Sequence, residues 1–264
     1  MRGFAKEGKS ILFITHKLNE IMAVADRVTV LRKGRYVGTV ETKDTDKQTL
    51  SNMMVGRPVQ LEVTKEAAKP GETILKVENF TVGGAGKRNA VNGVSFEARA
   101  GEILCIAGID GNGQTELIHG ITGLEKSTGG TVTLCGKEIS HAAISRRGEN
   151  MSHIPEDRHK HGLVLDFSLE QNMVLQRFNE KRFQKAGFID RGAVRAYADE
   201  LIEKYDVRSG QGAVTTARSM SGGNQQKAII AREVDRDKPL IVAVQPTRGL
   251  DVGAIEYIHS QLVA

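Results

Sequence analysis

The stretch Ser219 to Lys227, SMSGGNQQK, sets a hydroxyl and a Gly-Gly pair at the mouth of a helix, an arrangement suited to holding a phosphate. Ser221 supplies the hydroxyl, Gly222 and Gly223 bare their amides, and the dipole of the following helix favours negative charge. Ser221 is also a good helix cap, so a capped helix start without any ligand is the plainer reading of these residues alone. A second glycine-rich stretch lies earlier. The apolar run ILCIA, Ile103 to Ala107, leads into Gly108, Ile109, Asp110, Gly111, Asn112, Gly113, Gln114 and Thr115 and then into a helix. A loop that wraps phosphates needs glycines so that backbone amides close on the anion, a lysine that reaches the outer phosphates, and a hydroxyl that holds magnesium. Here the context, the glycines and the hydroxyl of Thr115 are right, while Gln114 stands where the lysine belongs. The literal Gly86-Lys87 pair is a decoy, because Arg88 follows where Ser or Thr is required and no buried strand precedes it.

The elements that must position these residues follow from apolar periodicity. Ile11 to Ile14 reads as a strand ending in Thr15 and His16, followed by an amphipathic helix and a second strand, Arg27 to Leu31. Lys33, Gly34 and Arg35 turn the chain into Tyr36 to Val40, and Lys47 to Val55 reads as a helix. Gly56 to Thr73 is polar and carries Pro58, Pro70 and Gly71, which marks a linker. The pattern then restarts with strands Ile74 to Val77 and Gly93 to Ala98, a buried strand Ile103 to Ala107, and the glycine loop. Helix Thr115 to Ile121, hairpin Gly130 to Glu138, a largely helical insert from Leu169 to Lys204, the helix after Ser221, strand Leu240 to Val244 and a last helix from Val252 complete it. The expected fold is α/β: a parallel core sheet, an antiparallel β subdomain and an α-helical subdomain.

Composition narrows the function classes. The apolar runs are far shorter than the roughly twenty residues a bilayer-spanning helix needs, and Met1 to Ser10 is charged, without the apolar centre of a signal peptide. Cys105 and Cys135 fall in predicted strands without metal-ligand spacing, so both are expected as reduced, buried thiols of a cytosolic protein. The net charge of +5 is spread without Lys/Arg tracts, and no nucleic-acid partner is expected.

The phosphate-type helix start, followed by LIVAVQPTRGLD (Leu240 to Asp251), resembles the signature helix, metal-sensing strand and D-loop of ABC-type ATPases. The combination of MVGR (Met54 to Arg57), DGNGQTEL, PEDR with GLVLDFSLEQNMVLQ, SGGNQQK and QPTRGLDVGA is similar to the second half of fused two-cassette ATPases. Those proteins drive importers of simple sugars and nucleosides, and the HKHGLVLDFSLEQNMV and GAIEYIH stretches look most like the nucleoside type. The resemblance implies ATP and Mg²⁺ as cofactors, Mg²⁺ held weakly through Thr115. It implies as partners a first ABC cassette of the same polypeptide, transmembrane permease subunits and, indirectly, a substrate-binding lipoprotein, with the protein peripheral on the inner face of the plasma membrane.

The same resemblance assigns roles residue by residue. Gly108, Asp110, Gly111, Asn112, Gly113, Gln114 and Thr115 correspond to the phosphate loop. Ser221, Gly222, Gly223 and Gln225 would complete the nucleotide site of the partner cassette, and Gly249, Leu250 and Asp251 correspond to the D-loop. His16 would be a switch histidine and Glu156 would face the γ-phosphate. Val244 and Gln245 replace the acidic pair of the metal-sensing strand, so neither metal holder nor base is in its usual place. Such a chain is expected to hydrolyse ATP negligibly by itself.

The resemblance divides the chain into residues 1–56, the closing part of a preceding cassette; 57–73, a linker; and 74–264, a second cassette expected to lack its own switch-histidine strand. Residues 1–56 could fill that gap by docking in the same chain or by strand exchange between chains. Two other readings stay open: a non-catalytic regulatory nucleotide-binding module, and a cytosolic ABC ATPase acting on nucleic acid or ribosomes.

Overall fold

The computed structural model describes residues 1–60, 63, 65–84 and 89–263, so the Gly86-Lys87 decoy lies outside the described residues. The chain divides into two units, Met1–Lys65 with Thr247–Ala264, and Glu66–Pro246.

The first unit opens with short helices α1 (Arg2–Lys6) and α2 (Leu18–Val24), then hairpin β1 (Arg27–Arg32) and β2 (Arg35–Glu41), then α3 (Lys47–Val55). Lys33 and Gly34 both take positive φ, 51° and 74°, the mirror-image turn that matches strand twist. Asp46 caps α3 by accepting from the Thr49 amide at 2.7 Å, and those amide bonds hold its carboxyl below the usual range. Gly56, left-handed at φ 87°, ends the helix. Ile21, Val30 and Leu50 form the small core.

The strand expected at Ile11 to Ile14 is absent: residues 9–17 lie in no helix or strand, with Leu12 95% and Ile14 96% exposed. An apolar run becomes a strand only where a neighbouring edge takes up its amides and carbonyls, and among the described residues no ladder includes it.

The second unit begins with an antiparallel sheet: β3 (Thr73–Gly83), β4 (Asn89–Arg99), then, beyond α4 (Gln114–Thr122), β5 (Ser127–Leu134) and β6 (Lys137–Glu138), in the order β4-β3-β5-β6. Phe80, Val132, Leu117 and Ile121 fill the space between sheet and α4. The approach is close enough to demand glycine at position 120, where a Cβ would stand 2.7 Å from Val82 and 2.8 Å from Phe80. Helix α5 (Ile144–Arg147) ends in a buried arginine that donates to the α4 carbonyls of Gly120 (3.0 Å) and Ile121 (2.7 Å) and to Ser140 (2.8 Å). Arg147 thus satisfies the orphan carbonyls at the end of the helix that carries the glycine loop, and burial pulls its pKa down.

Strand β7 (Met151–Ile154) lies parallel to β10 (Leu240–Ala243). Between them come α6 (Leu169–Val174), hairpin β8 (Gln184–Lys185) and β9 (Phe188–Ile189), α7 (Arg191–Lys204) and α8 (Gly222–Val234). Ser168 and Gln171 form a capping box on α6, and Asp190 caps α7. The Leu169 to Lys204 stretch is less helical than expected, because Ala186 and Gly187 take the positive φ values of a tight hairpin turn, 50° and 83°.

Strand β10 (Leu240–Ala243) pairs with β7 from Leu240↔Met151 to Ala243↔Ile154. Glu233 of α8 is fully buried behind this pair and bonded to Arg232 and Arg236 at 2.8 Å each. The expected buried strand Ile103 to Ala107 is not formed. Ile103 is 57% exposed, Cys105 is exposed and unpaired, and no described strand runs beside the segment. Among the described residues the parallel sheet is therefore the pair β7–β10, since a central strand requires a neighbour to bond. Cys135 is a half-buried free thiol in the turn after β5, at φ 49°, rather than a strand residue. Helix α9 (Val252–Val263) belongs to the first unit, where Glu256 pairs with Arg57 and accepts from the Gln60 amide, both at 2.7 Å. No helix among the described residues is long and apolar enough to cross a membrane.

Candidate functional site

The glycine loop sits where the sequence requires, between Ala107 and α4. Gly111 and Gly113 hold φ 86° and 93°, and a Cβ on Gly113 would collide with the Ala90 carbonyl, so no other residue fits there. The Gly113 carbonyl accepts from Leu117 at 2.8 Å and starts the helix. Gln114 folds back rather than reaching outward: its amide donates to the Ile109 carbonyl at 3.2 Å and lies over Gly108, in the space a Cβ there would take. Gly108, Asp110, Gly111 and Asn112 are exposed around it.

Three residues distant in sequence meet beside this loop. The Thr115 hydroxyl donates to Glu156 Oε2 at 3.3 Å, and Gln245 Nε2 donates to Glu156 Oε1 at 3.2 Å. The parallel ladder brings them together: Glu156 lies just past β7 and Gln245 just past β10, and the Val244 amide bonds the Ile154 carbonyl at 2.9 Å. Gln245 takes φ 44°, a left-handed conformation rare for a residue with a Cβ. Carboxylate and hydroxyl together are the ligand types that Mg²⁺ accepts alongside phosphate oxygens. The residues present fit a magnesium nucleotide through Thr115 and Glu156, and lack the cation that would hold the outer phosphates.

At the second candidate anion site, Ser221 is the exposed N-cap of α8. Its hydroxyl accepts from Asn224 Nδ2 at 3.0 Å, and the first amides of α8, on Gly222 and Gly223, have no carbonyl within the helix to bond. Gln225 faces inward instead. It is 4% exposed and its Nε2 donates to the Ala217 carbonyl at 2.9 Å, so its side chain is committed to the protein.

Arg158 and His159, which no motif marks as site residues, also pack on the start of α8. His159 Nε2 lies 3.0 Å from Gln225 Oε1, and a Cβ on Gly222 would stand 2.8 Å from an Arg158 guanidinium nitrogen. The signal was present in PEDRHKHG, but only the tertiary fold shows that this turn packs on α8. Nearby, burial lowers the His153 pKa to about 4, with Glu233 opposing the shift and His119, His161 and Arg232 adding to it.

The remaining candidates belong to the first unit. His16 is exposed in the segment before α2. Leu250 is buried, Gly249 takes φ 70°, and Asp251 caps α9 by accepting from the Ala254 amide at 2.9 Å.

A glycine loop springing into a helix, with polar side chains converging on it from the ends of two parallel strands, is the phosphate end of a P-loop nucleotide-binding fold. The solved dimer of the ATP-binding cassette MJ0796 bound to ADP and Pi shares this fold, with a TM-score of 0.60 at 23% identity over 72% of this chain and 81% of that one. The chain belongs to the ABC transporter family, whose profile matches residues 91–248, more than half its length. It is 48% identical to the nucleoside import ATP-binding protein NupA of Lactococcus lactis subsp. cremoris, over 100% of this chain and 52% of that protein. It is 49% identical to the guanosine import ATP-binding protein NupO of Bacillus subtilis, with the same coverage. The chain thus spans about half the length of the curated relatives it matches.

Proposed function

We propose that this chain is the ATP-binding part of an ABC importer for nucleosides, working at the inner face of the membrane beside permease subunits and a substrate-binding lipoprotein. Residues 1–56 are read as the closing part of one cassette and 74–264 as a second, degenerate cassette. The full-length similarity to proteins named for nucleoside and guanosine import supports the substrate class.

The observation that carries the mechanism is the Thr115–Glu156–Gln245 group beside a loop whose Gln114 is turned inward. The loop amides and the Thr115 hydroxyl bind and orient a nucleotide. Glu156 accepts from Thr115 and Gln245 and stands beside the phosphate end, where it registers whether the loop is occupied. Bound Mg²⁺ would neutralise phosphate charge there. Val244 has no group to hold a metal's water and Gln245 cannot take up a proton, so this loop binds without hydrolysing. Ser221, Gly222 and Gly223 present a hydroxyl and helix-end amides to a nucleotide carried by the other cassette.

The missing cation and base also support a regulatory reading of this loop: it holds nucleotide as a spacer while turnover occurs at the other site. Uptake of labelled guanosine by cells expressing the full two-cassette polypeptide and its permease tests the function. Uptake lost in Ser221→Ala supports it; ribose transported instead of nucleoside by the same assembly refutes the substrate class.

A further inference from the structure

The turn after Glu156 is tied along its length to the start of α8. Residues Arg158–Gly162 form one turn of wide helix, capped by Asp157, whose carboxylate accepts from the His159 amide at 2.9 Å and the Lys160 amide at 3.0 Å. Those bonds hold the Asp157 carboxyl below its usual range. At one end of the turn, Glu156 is bonded to Thr115 and Gln245. At the other end a Cβ on Gly162 would stand 2.6 Å from Ile229 Cδ1, so the turn lies directly against α8. Between them, Arg158 covers Gly222 and His159 reaches Gln225.

The hydrogen-bond directions at Gln225 are fixed by its neighbours. Its Nε2 donates to the Ala217 carbonyl, so Oε1 is the atom left to accept, and His159 Nε2 must carry the proton that it accepts. Gln225 lies within one helical turn of Ser221, and its own amide bonds the Ser221 carbonyl at 2.9 Å. A shift of His159, an exposed side chain held at its tip by Gln225, is therefore passed to the Ser221 carbonyl through two hydrogen bonds. Packed elements of this kind move together rather than deform gradually.

We propose that His159 is a positioning residue: through Gln225 it links the segment bearing Glu156 to the Ser221–Gly223 helix start, so that nucleotide in the Gly108–Thr115 loop changes how that helix start is presented to the second site. The proposal rests on reading the glycine loop as a nucleotide site, and it goes further by naming the side chain that couples the loop to the other anion site. Ligand at Thr115 competes with the Thr115–Glu156 bond, Glu156 shifts, the capped turn shifts with it, and the His159–Gln225 bond carries the shift to α8.

The test is amide exchange of the 264-residue chain with and without millimolar Mg-ATP, at a concentration where it is monomeric by light scattering. In the wild type, Mg-ATP is expected to slow exchange both in the loop, residues 108–117, and at the helix start, residues 221–226, by at least about threefold each. His159→Ala is expected to keep the loop protection and lose that at 221–226, and His159→Gln, which retains a donor for Gln225, to restore it. Gln225→Ala removes the acceptor on the other side of the same bond, away from the loop, and gives the same uncoupled pattern should His159→Ala fold poorly. Loop protection without any change at 221–226 in the wild type, or an unaltered pattern in both alanine variants, overturns the proposal and leaves the loop reading intact. No protection of the loop at millimolar Mg-ATP overturns both.

Discussion

Gln245 donates to Glu156 across 3.2 Å, from the end of one parallel strand to the end of its neighbour. The Gln245 amide is thus spent on orienting a carboxylate that also accepts from the Thr115 hydroxyl. On the proposed reading, this arrangement would keep a phosphate end for binding and lack a base to drive attack by water.

The purified chain is expected to release phosphate from ATP at a rate indistinguishable from a no-protein blank. Each missing group of this kind costs orders of magnitude in comparable sites. Steady-state release clearly above blank, and abolished by Thr115→Ala, would show that another group supplies the base.

Restoring the cation should strengthen binding without restoring turnover. Gln114→Lys replaces an amide bonded back to the Ile109 carbonyl by a charge that can reach outer phosphates. Tightening of Mg-ATP binding by roughly tenfold, about 1.4 kcal/mol, is expected by calorimetry. An unchanged affinity would mean that the loop does not cradle phosphates.

In the proposed two-cassette protein, Ser221→Ala is expected to cut transport-coupled ATPase at least about tenfold. Gln114→Ala should reduce it by a smaller factor, because on the proposed reading it acts at a loop that does not turn over. Equal losses from the two changes would reverse the assignment of the sites.

Stability should fall on the acid side through His153. Its folded pKa of about 4 lies below the ordinary 6.5, so the unfolded chain binds more protons between those values. The contribution is whole above pH 6.5, declines as pH falls towards 4, and amounts to up to about 3 kcal/mol. The burial-lowered His161 adds in the same direction. Urea midpoints at pH 7.5 and 4.5 should differ less in His153→Gln than in the wild type; an identical drop would place the proton uptake elsewhere.

Gly120→Ala should destabilise the second unit by roughly 1–3 kcal/mol, since the added carbon meets Val82 and Phe80 inside ordinary contact distance. Thermal unfolding checks this. An unchanged midpoint would mean that α4 can lift from the sheet without loss, which its bond to Arg147 argues against.

Local signals settled much of this protein. The bounds of α3, the glycine loop opening α4, the Ser221 cap of α8 and the hairpin at Lys33-Gly34 each follow from residues within a few positions, through capping, glycine conformation or helix periodicity. Ile11 to Ile14 and Ile103 to Ala107 carried an equally clear apolar pattern and became no strand, because a strand is completed by its neighbour's hydrogen bonds and neither pattern contains that neighbour. The sequence likewise named Thr115, Glu156, Gln245 and Gln225 as site residues by motif. Only the tertiary structure decided that the first three meet in one group, since the β7–β10 ladder aligns chain segments far apart in sequence. The same packing turns Gln225 inward, where His159 and the Ala217 carbonyl take up both ends of its amide.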